Sequence, residues 1–400
     1  EPFDASPWIY IYQQYGGYWP VTIRAVPEGT PVRSGNAIVT IECTDPNVFW
    51  ISSYLETVLQ RAVWYPTTIA SMDYDIKKDI KHFYTISGAD MGLLPFALHD
   101  FGARGVSSAE TAEIGGAAHL VNFMGSDTIE GIRAANYYYD EPMAAFSVPA
   151  TEHSVECSYG SSYEQEKEYL SNVLKKLAKP NGIVSIVLDG YDVYRAATIL
   201  CTDLKDQVIA SGAKVVFRPG SGDMMEVVPR ILAIQAAAFG TVTNEKGYKK
   251  INNVGIIQGD GVDHMSIKSL LGKILALGYS ADNVVFGSGG SLLQKVNRDT
   301  FKFAQKASAV LKRVEMDCGN LGINDVADWV GIAKDPVTDP GKKSKEGRLT
   351  LVRSKMTGEQ STANVNFNKS EFDDMMVVVY NNGMICNKTN LKEIRERAVF

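Results

Sequence analysis

The stretch NVVFGSGGSLL, residues 283–293, decides the fold of this chain. It reads as a short buried strand over residues 283–286, a glycine turn over residues 287–290 and the start of a helix at Ser291. Glycines let backbone amides approach an anion closely, and the start of a helix adds unpaired N–H groups and the positive end of a dipole. The stretch therefore predicts a phosphate site. A plain strand-to-helix connection is the alternative that the turn alone leaves open.

The same plan of an apolar strand, a polar loop and a helix recurs along the middle of the chain. Strand-like segments lie at residues 95–98, 119–123, 145–148, 183–188, 215–217, 254–257 and 284–286. Strands that alternate with helices are typical of parallel βαβ units. About seven units in succession indicate an α/β fold, an irregular parallel β/α barrel of the TIM-like kind. An open doubly wound sheet is the alternative, because sequence does not show closure.

The flanking sequence is rich in β-branched residues and turns. Strands are predicted at residues 20–27, 36–41, 349–352 and 375–380, and helices at residues 49–63 and 70–83. Asn381–Gly383 predicts a hairpin turn, and Pro66 predicts the break between the two helices. We expect two domains. Residues 1–65 and 295–400 form a discontinuous β-rich α+β domain, and residues 66–294 form the barrel.

Composition narrows the class of protein. The 400 residues carry a net charge of −6 with dispersed basic residues, so the sequence has no electrostatic footprint for nucleic acid. No apolar run approaches the roughly 20 residues that a membrane span needs, and the start of the chain has no signal-peptide pattern. Five scattered cysteines (Cys43, Cys157, Cys201, Cys318, Cys386) lack CxxC spacing. They predict free thiols in a reducing, cytoplasmic compartment and no protein-held metal site.

The ends of the first three predicted strands carry candidate site residues, since a barrel of this kind places its reactive groups there. Arg104 precedes a helix start marked by the Ser107/Glu110 capping-box spacing, which suits a phosphate, although a solvated arginine explains it equally well. Asp127 either caps a helix together with Glu130 or accepts a hydrogen bond from a ligand amide. The pattern leaves both readings open.

His153 is the best acid/base or phospho-acceptor candidate among the five histidines, because it lies beside Glu152 at a strand end. His82, His99, His119 and His264 are interpreted as structural or surface residues. After the next strand, one of Asp189 and Asp192 could orient the His153 ring while the other caps the following helix.

The later strand ends pair charge with glycine. Arg218 and Gly220 follow the fifth strand, and Gly259 and Asp260 follow the sixth. Such pairs suit a phosphorylated sugar, with carboxylates for ribose hydroxyls and with arginine and amides for phosphates. Polar and cationic groups beside the GSGG turn add to this pattern: Gln294, Arg298 and Lys306.

Several motifs together resemble the nicotinamide phosphoribosyltransferases, a family of type II phosphoribosyltransferases. The resemblance lies in HDFGARGVSSAETAEIGGAAHLVNFMGSDT (99–128), SVPATEHS (147–154), IIQGDGVD (256–263), FGSGGSLLQKVNRDT (286–300) and KDPVTDPGKKSKEGRL (334–349), with AVPEG (25–29) and WYP (64–66). It implies an α/β barrel joined to a β-rich domain, in a homodimer with active sites at the subunit interface.

The resemblance also implies roles for individual residues. Phe101 and Arg218 would sandwich a pyridine ring, and Asp127 would bind its carboxamide. His153 would be a phosphohistidine that couples ATP hydrolysis to catalysis, with Asp189 as its hydrogen-bond partner and Glu152 alongside. The remaining positions would line the tunnel (Ser147, Val148, Ser185), line the ribose site (Gly259, Asp260) and hold the phosphates (Arg104, Gly289, Gly290, Arg298, Lys306).

The implied reaction joins nicotinamide to phosphoribosyl pyrophosphate, giving nicotinamide mononucleotide and pyrophosphate, with Mg²⁺ on the pyrophosphate and ATP as co-substrate. The family's arginine-proline-aspartate motif reads Arg218-Pro219-Gly220 here, so a ribose-contacting carboxylate is replaced by glycine, and residues 314–331 fit the family pattern poorly. The alternatives are therefore a nicotinate phosphoribosyltransferase, against which Asp127 argues, and a catalytically impaired ligand-binding homologue, which Gly220 favours.

Overall fold

The computed structural model of the chain describes residues 3–317 and 323–399. Contacts divide the chain into two compact units, one formed by residues 1–64 and 298–399 and the other by residues 65–297. The four cysteines of the described part are free thiols, and Cys318 lies outside the described residues. No helix of the described ranges combines the length and the apolar character that crossing a membrane requires.

The N-terminal part of the first unit contains two short helices and two strands. They are α1 (Ser6–Tyr15), β1 (Val21–Ala25), β2 (Val39–Cys43) and α2 (Ile51–Tyr54). The two predicted strands are confirmed, whereas α1 was not predicted. Its first turn holds Pro7 and it ends at Gly16 in the left-handed conformation (φ 63°), which are ordinary start and stop signals.

The predicted helix break at Pro66 is wrong. Helix α3 (Glu56–Ser87) runs through Pro66 without interruption for 32 residues. Proline lacks the N–H that would bond to the carbonyl one turn earlier, so the helix loses one hydrogen bond there. Its buried side chains recur three or four residues apart from Tyr65 onward, and this burial outweighs the local loss.

The second unit contains strands followed by helices, as the sequence predicts, although the predicted strand at residues 145–148 does not form. Its elements are β3 (Leu98–Asp100), α4 (Ala109–His119), β4 (Gly125–Ser126), α5 (Ile129–Tyr139), α6 (His153–Tyr159), α7 (Tyr163–Leu177), β5 (Ile183–Val187), α8 (Val193–Cys201), α9 (Lys205–Ser211), β6 (Lys214–Arg218), α10 (Met224–Phe239), β7 (Thr241–Thr243), β8 (Lys249–Ile251), β9 (Val254–Gln258), α11 (His264–Ala276), β10 (Val284–Ser288) and α12 (Gly290–Leu293).

Six of these strands form one parallel sheet in the order β4-β3-β10-β9-β6-β5. The segment 146–151 lies between the two edge strands, because single parallel bridges join Phe146 to Gly125 in β4 and Ala150 to Ser185 in β5. The sheet therefore curls into an irregular barrel with seven members, and the predicted fold class is confirmed. Alternate side chains of β5, β6 and β9 point out of the barrel and pack in the core between the sheet and the helices. Side chains alternate along a strand, so the intervening residues face the interior of the barrel.

The predicted strand at residues 119–123 is wrong. His119 ends helix α4, and the strand begins only at Gly125. The His119 ring is buried between Asp73 Oδ2, 2.7 Å from Nδ1, and the Gly125 carbonyl oxygen, 3.0 Å from Nε2. An apolar run ended by a buried histidine resembles a strand in sequence, and only tertiary contacts distinguish the two.

The first unit resumes after residue 297 with strands and one helix. They are β11 (Ala309–Asp317), β12 (Ile323–Gly331), β13 (Leu349–Ser354), β14 (Gln360–Asn364), β15 (Phe372–Asp374), β16 (Val377–Asn381), β17 (Met384–Ile385) and α13 (Leu391–Arg397). Strands from both ends of the chain form the sheet β17-β16-β1-β2, so the β-rich part is discontinuous. The predicted hairpin turn is confirmed, with Asn382 and Gly383 at φ 46° and 95°.

Candidate active site

The candidate residues of the second unit cluster at one edge of the barrel. Phe101 follows β3, Asp127 follows β4, Asp189 follows β5, Arg218 ends β6 and Gly259 follows β9. All six strands of the sheet are parallel, so these positions share the edge formed by the carboxyl ends of the strands.

The Phe101 ring lies against the backbone of two neighbouring strands. A Cβ atom added at Gly287 would overlap the ring, and one added at Gly259 would lie 3.4 Å from its Cε2. The turn that carries the ring is fixed by buried Asp100, whose Oδ1 accepts a hydrogen bond of 2.7 Å from the Gly102 amide. Glycines at 259 and 287 therefore make room for a flat aromatic surface inside the barrel.

Asp127 does not cap a helix. Helix α5 begins after Thr128 without a side-chain cap, so the capping alternative is wrong. The Asp127 amide donates to the Asp100 carbonyl oxygen at 2.9 Å, and its Oδ1 accepts a hydrogen bond from the Ser147 hydroxyl. The carboxylate is exposed at the barrel edge and retains Oδ2 for a further donor.

Another ring borders this region from within the barrel. His99 packs beside Gly125, where a Cβ atom would lie 2.6 Å from its Nδ1. Burial lowers the pKa of His99 to about 4, so the ring is neutral at physiological pH.

His153 and Asp189 are in contact. His153 Nε2 lies 3.1 Å from Asp189 Oδ1, while Asp192 caps α8 by accepting from two backbone amides. Asp189 therefore contacts the His153 ring, and Asp192 caps helix α8. Glu152 caps α6 through the Ser154 amide at 2.6 Å, and its Oε1 lies 4.0 Å from His153 Nδ1.

Arg218 is tied to the segment that carries His153. Its Nη2 donates to the Thr151 carbonyl oxygen at 2.7 Å, and the Thr151 hydroxyl in turn accepts from the Val187 amide at 2.9 Å. These bonds fix the guanidinium at the end of β6.

Gly220 lies directly beside the Asp189 carboxylate. A Cβ atom at Gly220 would be 2.8 Å from Asp189 Oδ1 and 2.9 Å from Oδ2. Asp223 caps α10 by accepting from the Met225 amide at 2.8 Å. Asp223 is therefore committed to the helix, and the space where a residue-220 side chain would start is occupied by Asp189.

The GSGG turn adjoins the loop of Arg104. A Cβ atom at Gly105 would lie 3.3 Å from the Gly290 Cα, so the two backbones nearly touch. Within the described residues, the amides of Gly289, Gly290 and Ser291 donate to no partner. Exposed Arg104 and this row of free amides form a group of donors suited to phosphate oxygens.

Four further predicted residues are Arg298 and Lys306 of the first unit, and Ser185 and Asp260 of the second unit. Arg298 and Lys306 belong to the first unit, where Arg298 pairs with Asp299 at 2.9 Å and Lys306 Nζ donates to the Gln305 carbonyl oxygen. Ser185 is buried in β5, whereas Asp260 is exposed after β9. The described ranges contain no group of three or more histidines, cysteines or carboxylates placed to hold a metal ion.

Comparison with known proteins identifies the family. The model of a family described as "Nicotinate phosphoribosyltransferase (NAPRTase) family" matches residues 96–384 of this chain. The chain belongs to this family. A nicotinamide phosphoribosyltransferase of Xanthomonas campestris pv. campestris is 46% identical over 403 residues, covering 100% of this chain and 83% of its own. A nicotinamide phosphoribosyltransferase of Acinetobacter baylyi is 34% identical, covering 95% and 76%. The protein is a phosphoribosyltransferase, a pentosyltransferase.

Among solved structures, human nicotinic acid phosphoribosyltransferase aligns with 99% of this chain and 78% of its own, at 15% identity and a TM-score of 0.48. The family assignment rests on the sequence matches and not on this alignment.

Sequence reasoning missed several residues of this phosphoribosyltransferase site. Glu156, Thr151 and Gly190 surround the His153–Asp189 pair, and Tyr65 donates from its hydroxyl to the Leu293 carbonyl oxygen at 2.8 Å behind the GSGG turn. Glu156 reads as a surface residue of a short helix, although its place one turn after His153 was a signal. The others bond to backbone atoms of distant residues, and sequence patterns do not show such contacts.

Proposed function

We propose that this phosphoribosyltransferase uses nicotinamide, and joins it to phosphoribosyl pyrophosphate to give nicotinamide mononucleotide and pyrophosphate. The names of the sequence relatives support this choice of base. The observation that carries the proposal is the position of Asp127. Its carboxylate is exposed at the barrel edge, accepts a hydrogen bond from the Ser147 hydroxyl and does not cap a helix.

Charge explains why Asp127 favours nicotinamide. A carboxylate accepts a hydrogen bond from the neutral carboxamide, which carries N–H donors. Nicotinic acid is a carboxylate at neutral pH, so beside Asp127 it would meet a like charge and offer no donor. In this proposal Phe101 provides one face of the pocket for the pyridine ring, and Arg218 provides the other.

Catalysis requires positioning and stabilisation of the leaving group. The ring nitrogen forms a bond to C1 of the ribose, and the bond from C1 to pyrophosphate breaks with its electron pair leaving on oxygen. Arg104 and the free amides of Gly289 and Gly290 would bind the departing phosphates. Mg²⁺ would enter with the pyrophosphate as part of the substrate. Gly259 and Asp260 would line the ribose site, and Ser185 the tunnel behind it.

ATP would act through His153. Because Nε2 lies against Asp189 Oδ1, we assign the ring proton to Nε2, which leaves the Nδ1 lone pair as the nucleophile. Nδ1 would bond to the γ-phosphorus while the bond to the bridging oxygen breaks and its electrons leave with ADP. The proton on Nε2 stays in the bond to Asp189, so the step needs no further base. Phosphoryl transfer to His153 would then couple ATP to the main reaction.

A second copy of the chain would cover part of the base site. Large apolar side chains are exposed on α5 and on the segment after it, among them Tyr137 (77%), Met143 (58%) and Phe146 (40%). Phe146 directly precedes Ser147. Exposed apolar patches of this kind mark interaction surfaces, and they support the homodimer that we propose. A cytoplasmic location belongs to the same proposal.

The test measures nicotinamide mononucleotide formed from nicotinamide, phosphoribosyl pyrophosphate and Mg²⁺, with and without ATP, beside the same assay with nicotinic acid. We expect product from nicotinamide, at least about 100-fold preference over nicotinic acid, and stimulation by ATP. Asp127→Asn should reduce this preference about tenfold or more, because the repulsive charge is removed. Asp206→Asn is the matched control, because Asp206 is an exposed aspartate on α9 that has no part in the proposed site.

Three outcomes would overturn parts of the proposal. Product from nicotinic acid alone would make the protein a nicotinate enzyme. Normal nucleotide binding without turnover of either base would identify an impaired homologue. Unchanged discrimination in Asp127→Asn would remove the role assigned to that carboxylate.

A further inference from the structure

A carboxyl group lies buried behind the His153–Asp189 pair. Glu156 lies on α6, one helical turn after His153, and its side chain is 2% exposed. Its Oε2 accepts a hydrogen bond of 3.0 Å from the Gly190 amide, whereas its Oε1 is buried without a hydrogen-bond partner in the described part of the chain. A buried carboxyl oxygen without a partner is costly, so it calls for a functional explanation.

Glu156 and Gly190 fit each other closely. A Cβ atom at Gly190 would lie 2.6 Å from both Cδ and Oε2 of Glu156, so any larger residue would displace the carboxyl group. Gly190 directly follows Asp189, whose Oδ1 contacts His153 Nε2. The position of the Glu156 carboxyl therefore determines the turn from which Asp189 reaches the histidine ring.

The charges around Glu156 favour its neutral form. Burial, with smaller contributions from Glu166 and Asp189, raises the pKa of Glu156 to about 7, while the Gly190 amide and His153 oppose this. Glu166, on α7, is itself paired with Arg195 at 2.6 Å. The phenol groups of Tyr169 and Tyr191 also interact electrostatically with Glu156.

Below this pKa the carboxyl is mostly protonated and above it mostly ionised. An ionised Glu156 would add a negative charge beside Asp189, and both carboxyl groups are largely buried, so their Coulomb repulsion is screened less than in bulk water. A phosphoryl group on His153 would increase that repulsion further. Protonation of Glu156 removes it and leaves the bond from the Gly190 amide to Oε2 in place.

We propose that Glu156 is a positioning residue for the His153–Asp189 pair: it holds the Asp189–Gly190 turn and keeps a proton, drawn from solvent, while His153 carries a phosphoryl group. The inference rests on the proposed role of ATP at His153. Glu156 touches neither base nor ribose in this scheme, so its effect is confined to the ATP-stimulated part of the rate.

The first test is a pH profile of the ATP-stimulated rate. If the phosphorylated state needs neutral Glu156, this rate, measured at ATP concentrations well below KM so that unphosphorylated protein predominates, should fall about fivefold between pH 7 and pH 8 in the unaltered protein, following the neutral fraction of a group with a pKa near 7. Glu156→Gln keeps an oxygen for the Gly190 amide and cannot ionise, so its rate should change less than about twofold over that range. Glu164→Gln, an exposed carboxylate on α7, should behave like the unaltered protein.

A second measurement follows Glu156 without turnover. Carbon-13 NMR of protein labelled at the glutamate carboxyl should show one resonance that titrates near pH 7 and is missing in Glu156→Gln. Product formation with no such resonance, or a Glu156→Gln profile that follows the unaltered protein, would refute the inference alone. Equal losses of the ATP-stimulated and ATP-independent rates in Glu156→Gln would make the residue merely structural. No product from the unaltered protein would refute the proposed function, and the coupling with it.

Discussion

Replacing Gly220 with alanine should uncouple His153 from ATP. The backbone at Gly220 is not left-handed, so alanine fits the local conformation and the only new atom is Cβ. That atom would lie 2.8 Å from Asp189 Oδ1 and 3.1 Å from its Cγ, whereas ordinary contacts begin near 3.4 Å. Asp189 must therefore move by about half an ångström.

The room for that movement is small. The Asp189 side chain is 8% exposed, and its bond to His153 Nε2 is already 3.1 Å long. Inserting one extra carbon into a packed site costs about 1–3 kcal/mol. If the protein avoids that cost by shifting Asp189, the bond to His153 lengthens beyond hydrogen-bonding distance. A loss of about 1.4 kcal/mol in orientation corresponds to about a tenfold lower rate.

The assay compares nicotinamide mononucleotide formation with and without ATP in Gly220→Ala. We expect the ATP-stimulated rate to fall about tenfold and the ATP-independent rate to change less than about twofold. Gly272→Ala is the matched control, because nothing lies within 4 Å of the added carbon in α11. It should leave both rates unchanged and slightly stabilise the protein, since alanine is the better helix former.

A double-mutant cycle isolates the contact. In an Asp189→Ala background the clash partner is gone, so adding Gly220→Ala should cost almost nothing further. Full ATP stimulation in Gly220→Ala would refute the reasoning. So would an equal loss in both backgrounds, because the added carbon would then act on some other group.

Two further substitutions test the base site and the phosphate site separately. Gly287→Ala places a Cβ atom in the space occupied by the Phe101 ring. In steady-state kinetics it should raise KM for nicotinamide about tenfold or more, while KM for phosphoribosyl pyrophosphate stays within about twofold. Tyr65→Phe removes the hydroxyl that donates to the Leu293 carbonyl oxygen, so the free energy of unfolding should fall by about 1–3 kcal/mol. Because this bond lies behind the GSGG turn, KM for phosphoribosyl pyrophosphate should rise rather than KM for nicotinamide. The reverse pattern of KM values in either variant would contradict its assignment.

The barrel could be predicted because its signal is local and repeated. The strands β5, β6, β9 and β10 contain short apolar runs, and each is followed by a loop that contains glycine, so the ends of these four strands could be located within a few positions. The failures occur where tertiary burial outweighs local rules. Helix α3 continues through Pro66 because its buried face extends beyond the proline, and His119 closes a helix because Asp73 and the Gly125 carbonyl bind its ring.

The candidate site was predictable at the level of residues and not of contacts. The residue pattern alone left two aspartates as possible partners of His153, and only the resemblance favoured Asp189. The structure shows Asp189 in contact with the ring and Asp192 capping α8. Asp127 shows the same limit. Its spacing to Glu130 left a helix cap open as an alternative. The structure excludes this alternative, because α5 begins after Thr128 and the Ser147 hydroxyl, 20 residues later, donates to Asp127 Oδ1. The only sequence signal of Glu156 is its place one turn after His153, because burial of a carboxyl group on a polar helix is a property of the folded site.

The interpretation of Gly220 differs between the sequence and the structure. In the sequence, Gly220 stands where the family has an aspartate, so replacing it with aspartate would be expected to restore the ribose contact. In the folded chain, Gly220 and Gly190 each occupy a position where a side chain would collide with a carboxyl group, of Asp189 and Glu156 respectively. An aspartate at 220 would bring a second negative charge against Asp189 in a confined space. The glycine is therefore better understood as part of the arrangement that brings Asp189 to His153, and Gly220→Asp should weaken the coupling to ATP more than Gly220→Ala does.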